Sequence, residues 1–175
     1  MIGDVTRDAT HYSSCELVRH SMLNENIAWL DGYLNALSSV DGKLRSYFAS
    51  AFILESNNKA ASSALVDFFK PEISLSFSKF EEVVDWHGYL EVALSDVLLK
   101  NPLGAQCEDD LVCERRKYLS FRIMDAIGSM IGSYEKSLLF DAEVKCVNPG
   151  SRCRFFLVSY DEQYIVLQFM DENCI

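Results

Sequence analysis

Residues 119–158 read LSFRIMDAIGSMIGSYEKSLLFDAEVKCVNPGSRCRFFLV, and this stretch decides the fold. Leu119, Ile123, Ala126, Ile127, Met130, Ile131 and Tyr134 recur at helical spacing and form a wide apolar face. After Ser137 the period changes. Leu139 to Val147 reads as a strand, Asn148-Pro149-Gly150-Ser151 as a turn, and Arg152 to Ser159 as a second strand. Proline presets its own φ and glycine accepts positive φ, which gives the tetrapeptide a mechanism for turning. Phe155 and Leu157 alternate with Phe156 and Val158, so both faces of that strand are expected to be covered. Tyr164 to Phe169 supplies a third antiparallel strand. The reading is α+β: N-terminal helices, then an antiparallel sheet with a long helix packed on it and a C-terminal β-meander.

Working toward the N-terminus, Leu23, Ile27, Leu30, Leu34 and Leu37 step by four, three, four and three, an amphipathic helix. Asp41-Gly42 ends it. A second helix is predicted with Leu44, Tyr47, Phe48, Ala51 and Phe52 on one face. Asn57-Asn58 breaks the pattern before a third helix carrying Ala61, Ala64, Leu65, Phe68 and Phe69, which Pro71 closes. Ile73, Leu75 and Phe77 alternate with serines as a short strand, Phe80 to Val84 reads as a helical turn, and the text from Tyr89 reads as a strand. Arg115-Arg116-Lys117 is placed at the opening of the long helix. Gly128 and Gly132, four apart, are expected on one side of that helix, where they suit close packing against a neighbour.

The chain of 175 residues fits a single domain, residues 1–175, with residues 1–12 polar and expected to be loosely held. Hydrophobic residues make up 49% of it, enough for a core and too many for a disordered chain. Sixteen basic against 26 acidic residues leave a formal charge of −10, which disfavours nucleic acid and anionic lipid surfaces and suits a basic protein partner. The simpler use of that charge is solubility. The N-terminus lacks the basic-then-apolar pattern of a signal peptide, and no run approaches the ~18 apolar residues of a membrane span. A cytoplasmic, reducing location is expected, in which the six cysteines serve as buried thiols or metal ligands rather than as a disulfide framework.

The most specific text is Glu143-Val-Lys-Cys146-Val-Asn-Pro-Gly150-Ser-Arg-Cys153-Arg-Phe155. Cys146 and Cys153 stand where they can approach across the hairpin. Glu143 and Cys146 are three apart and would face opposite sides of a regular strand. Together with Gly128 and Gly132, and with Trp86-His-Gly88-Tyr-Leu-Glu91 upstream, these residues resemble the 4-vinyl-reductase domain, a relative of TRAPP vesicle-tethering subunits and of the sensing domain of phenol-responsive regulators. The similarity covers about residues 80 to 158.

The resemblance implies a pocket for a small apolar or aromatic molecule between the helical layer and the sheet. It also implies zinc held by the glutamate, both hairpin cysteines and a helix cysteine. This sequence departs at that last position, where Arg122 and Ile123 stand. Cys113 or Cys107 would serve only if the preceding loop folds back. Zinc wants four ligands and three are named, Glu143, Cys146 and Cys153. Small buried hydrophobes are the simpler role for the two cysteines. The aromatics expected to line the ligand pocket are Tyr47, Phe69, Trp86, Tyr89 and Tyr134, each of which also suits an ordinary core.

Catalysis finds little support. Asp85, Glu91, Asp125 and Glu143 show no paired-acid pattern, and His11, His20 and His87 sit in no catalytic motif. The chain has no Gly-rich phosphate loop, no His-Glu-x-x-His and no Cys-x-x-Cys. Two non-catalytic functions fit these residues. The first is a module binding a small hydrophobic ligand, as sensor, carrier or assembly subunit, with its N-terminal helices a candidate homodimer interface. The second is an acidic protein-binding factor such as an immunity protein, inhibitor or adaptor.

Overall fold

The computed structural model describes residues 14–41, 47–70, 74–99, 110–132, 137–148, 151–171 and 174. The side chains of 14–22, 37, 39–41, 47, 95–96, 98–99 and 110–117 lie outside the description. The elements run α1 (Ser14–Asp41), β1 (Tyr47–Glu55), α2 (Ala61–Phe69), β2 (Phe77–Val83), α3 (Trp86–Leu99), α4 (Asp110–Ile131), β3 (Leu139–Val144), β4 (Cys153–Tyr160) and β5 (Gln163–Asp171). The five strands form one antiparallel sheet in the order β1-β5-β4-β3-β2. The α+β class and the terminal meander are as the sequence predicts.

The central strand β4 explains the layering. Phe155 and Leu157 point into a cluster with Ala61, Ala64 and Leu65 of α2. Phe156 and Val158 point the other way, into a larger cluster with Leu30 and Leu34 of α1, Leu90 and Leu94 of α3, and Ile123 and Ile127 of α4. All four β4 side chains are fully buried. The sheet therefore lies between a three-helix layer and a thinner layer built on the nine residues of α2. Burial on both faces is why this strand reads as a continuous apolar run rather than an alternation.

Three elements differ from their sequence reading. Residues 47–55 are a strand, not a helix, because β5 offers a nine-residue partner and the side chains then sort by twos. Ala49, Ala51 and Ile53 go to the three-helix side, whereas Phe52 and Leu54 go to the α2 side. The outward edge of β1 is closed by α1, whose Asp31 carboxylate accepts the Ala51 amide at 2.9 Å. Residues 80–83 belong to strand β2, paired with β3, rather than to a helical turn, and residues 74–76 precede that strand. The Tyr89 text is helix α3 rather than a strand. Its buried Trp86, Leu90, Ala93 and Leu94 follow helical spacing.

Gly132 ends α4 instead of lying along its face. Its φ is +68°, and its amide donates to the Gly128 carbonyl at 3.0 Å, a left-handed C-terminal cap that glycine adopts without steric cost. The Arg115–Lys117 triplet lies inside α4, which begins at Asp110. Among the described residues, no helix is long and apolar enough to cross a membrane. Residues 1–12 lie outside the described residues.

Candidate functional site

Chemistry-bearing groups converge where β2, β3 and β4 meet α3. Asp141 of β3 has a fully buried side chain. Arg154 grips it with two bonds, Nε to Oδ1 and Nη2 to Oδ2, each 2.8 Å. Lys79 Nζ reaches Oδ2 at 3.0 Å, and the Tyr89 hydroxyl donates a short hydrogen bond to the same oxygen. Arg154 Nη2 also donates to the Tyr89 oxygen at 3.0 Å and stacks 4.7 Å from the Phe156 ring centre.

The register makes this choice of partner informative. Glu143 stands directly across from both Lys79 and Arg154, yet both cations reach diagonally to Asp141. Glu143 keeps a 3.9 Å approach to Arg154, and Glu81 a 2.6 Å bond to Lys79. The buried carboxylate, cut off from water, gains most from charged donors.

Burial pushes the Asp141 carboxyl upward, but hydrogen bonds from Arg154, Tyr89 and Lys79 hold it below its ordinary value. Burial, then the hydrogen bond to Asp141, raises the Tyr89 phenol, which keeps it a protonated donor. The cluster is a closed arrangement of a carboxylate and the groups that satisfy it. Its effect is to fix α3 onto the sheet through Tyr89. Trp86 reinforces that joint, its indole donating to the Ser137 carbonyl at 3.2 Å.

The residues predicted to line a pocket are not gathered in one place. Trp86 and Tyr89 lie on the three-helix side, whereas Phe69 lies on the α2 side, tilted against Phe155 at 5.6 Å. Tyr134 and the Tyr47 side chain lie outside the described residues. The metal candidates divide between the two faces of the sheet, the cysteines on the α2 side and Glu143 on the other. Cys146 is bonded to Cys174 in a disulfide with a Cα–Cα distance of 4.7 Å, a pairing that replaces the expected free thiol. Cys153 is a free thiol buried on the α2 side, and Glu143 extends to the other face beside Arg154. The expectation that Glu143 and Cys146 part company holds; Cys146 and Cys153 share the α2-side cluster, and the sulfur bonded to Cys146 is that of Cys174. Among the described residues, no group of three His, Cys, Asp or Glu side chains is placed to hold a metal.

Among the described residues, exposed aromatic rings stand on α1 and α4 as well as at Phe68 of α2 and Phe48 of β1. Trp29 is 45% exposed, and Tyr118 and Phe121 are each 61% exposed. Trp29 stacks on Tyr33 with ring centres 5.3 Å apart, and the Arg122 guanidinium lies 5.6 Å from the Trp29 ring centre. Tyr118 and Asp125 stand about one turn either side of Arg122 on α4, and Phe121 is its chain neighbour. Exposed Glu25 stands one turn before Trp29. No protein-family model, curated protein or solved structure matches the chain.

The apolar stripes of α1 and α4 do not mark these residues. Trp29 falls outside the Leu23–Leu37 series, and Tyr118 and Phe121 fall outside the Leu119–Met130 series. A large aromatic on the polar side of an amphipathic helix is a signal that the sequence does contain.

Proposed function

We propose that this chain is a non-catalytic protein-binding factor that docks through the α1/α4 face onto a partner presenting basic and apolar groups. The observation carrying this reading is the exposure of Trp29 on α1 and of Tyr118 and Phe121 on α4, with Arg122 of α4 reaching Trp29. Tryptophan, tyrosine and arginine are enriched among the few residues that dominate binding at protein interfaces, and exposed rings on two helices in contact suit such a surface. The flanking carboxylates Glu25 and Asp125 and the net charge of −10 set the sign of the partner.

The test compares capture from lysate by the full chain, by Trp29→Ala/Phe121→Ala and by Val92→Ala, where Val92 is an exposed apolar residue on α3. The expected result is a basic protein retained by the first and third baits, lost with the second, and weakened as salt rises. Equal retention by all three baits contradicts the proposal.

A second reading keeps the small apolar ligand but moves it to the α2 side of the sheet. Half-buried Phe77, Phe80, Phe140 and Tyr164 run across that face, successive ring centres 5.2, 5.9 and 6.1 Å apart. It also draws on the resemblance of residues 80–158 to the 4-vinyl-reductase domain, although the Trp86–Glu91 stretch quoted for that resemblance is helical. Native mass spectrometry of the purified chain separates the two readings. A retained lipophile supports the second, and an empty protein leaves the first.

A further inference from the structure

We propose that β2 is a self-pairing edge, through which two copies of this chain join antiparallel about a two-fold axis at Phe80 to form one continuous sheet. β2 stands at one end of the strand order, opposite the β1 edge that α1 closes. Ser78, Glu81 and Glu82 are exposed, and Val84, just beyond the strand, is 87% exposed. Ser159 N donates to Leu138 O at 2.8 Å, so the polar backbone groups of the next residue, Leu139, turn from β4 toward β2. Leu139 pairs with Val83. Alternation along the ladder then gives β3 the N–H and C=O of Glu81 and Val83, and leaves those of Phe80 and Glu82 facing outward.

The side chains select the occupant of that edge. Lys79 and Glu81 lie on the three-helix side, bonded to each other at 2.6 Å, whereas Phe80 lies on the α2 side. A two-fold axis normal to the sheet keeps each face continuous, so a register is set by the residue that meets its own copy. Within the regular ladder, 79–83, centring on Lys79, Glu81 or Glu82 sets a charge against itself, and centring on Val83 sets Glu81 against Asp85. Like charges directly opposite are destabilising. Centring on Phe80 instead sets Lys79 against the second copy's Glu81, twice, and ring against ring on the other face. Charges and a bulge, both present in β2, guard an edge strand against indiscriminate pairing. Here they leave one register open.

In that register Phe80 exchanges backbone hydrogen bonds with its copy. Its half-buried ring ends the series Phe80–Phe140–Tyr164, with centres 5.9 and 6.1 Å apart, so pairing joins two series and shields their exposed ends. Surface ion pairs add little affinity; they choose the register, while backbone bonds and rings hold it.

The experiment is sedimentation equilibrium of the full chain at about 0.15 M salt, which screens the repulsion between two acidic chains beyond about 8 Å. A dimer is expected to form between about 1 and 100 μM. Glu82→Pro removes an outward N–H and spares the ladder with β3, and Glu81→Lys opposes lysine to Lys79. Each should raise the dimer Kd about tenfold or more with an unchanged far-ultraviolet circular dichroism spectrum, while Trp29→Ala/Phe121→Ala leaves the dimer intact. Phe80→Cys should link two copies by a disulfide on mild oxidation, and Glu82→Cys should not. The proposal is overturned by a monomer throughout that range, by a dimer that both β2 variants leave intact, by one lost with Trp29→Ala/Phe121→Ala, or by equal linking through positions 80 and 82.

Discussion

Asp141 shows what one buried charge does in this molecule. A carboxylate taken out of water survives only with full compensation, and Arg154, Lys79 and Tyr89 provide it. Replacing it by alanine leaves Arg154 without its close carboxylate and Lys79 with Glu81 alone, and Asp141→Ala is expected to cost about 2–4 kcal/mol. The lower part of that range reflects the contact both cations keep with solvent. The sign of the pH effect follows from the direction of the shift. The folded carboxyl titrates below its ordinary 3.8, so its contribution is full above that value and is lost as pH falls through the lower, folded one. Urea titrations at stepped pH should show wild type losing its advantage over Asp141→Ala below about pH 4. Little of this was legible in the sequence. Phe140-Asp-Ala-Glu-Val144 reads as a half-solvated strand, and nothing local says that Asp141 faces a helix while Glu143 reaches the rim. Burial pushes the Cys153 thiol up to about 12, aided by Asp171, so it should alkylate slowly in the folded protein.

At the scale of elements, periodicity located α1, α2, α4 and the three strands of the meander, because each carries its own pattern against one partner. It failed at β1 and α3 for a common reason. Phe48-Ala-Ser-Ala-Phe-Ile-Leu54 has apolar residues at both periods, and only the presence of β5 selects the strand. Tyr89-Leu-Glu-Val-Ala-Leu94 alternates loosely, and the surfaces of α1 and α4 decide for a helix. The two-sided burial of β4, by contrast, was written in its uninterrupted apolar run. Phe156→Ala should destabilise the domain by about 3–5 kcal/mol, as deletion of a fully buried ring does, read as a lower urea midpoint. The cysteine pairing was illegible because Cys174 lies 28 residues beyond Cys146 and no spacing rule connects them. Closing a loop of that length stabilises by about 3–4 kcal/mol through the unfolded chain. Cys174→Ser should accordingly lower Tm by roughly 5–15 °C and leave a cooperative transition.

For the whole molecule, the sheet is a wall between two unequal layers. The thick layer buries the inward sides of α1, α3 and α4, and Arg122 of α4 reaches across to Trp29 of α1. Trp29, Tyr118 and Phe121 are the exposed rings of those two helices. The −10 charge acts on the same scale, since it speeds encounter with a basic partner and repels acidic ones. Salt should therefore slow association more than it speeds dissociation. The most direct test places a photocrosslinking amino acid at Phe121 and, in a second protein, at Val92, both in the full chain expressed in its own cell. The account predicts one basic protein joined covalently through position 121 and absent from position 92, and lost again when Trp29→Ala is added. Equal adducts from both positions, or none at 121 while the protein remains folded, would contradict it.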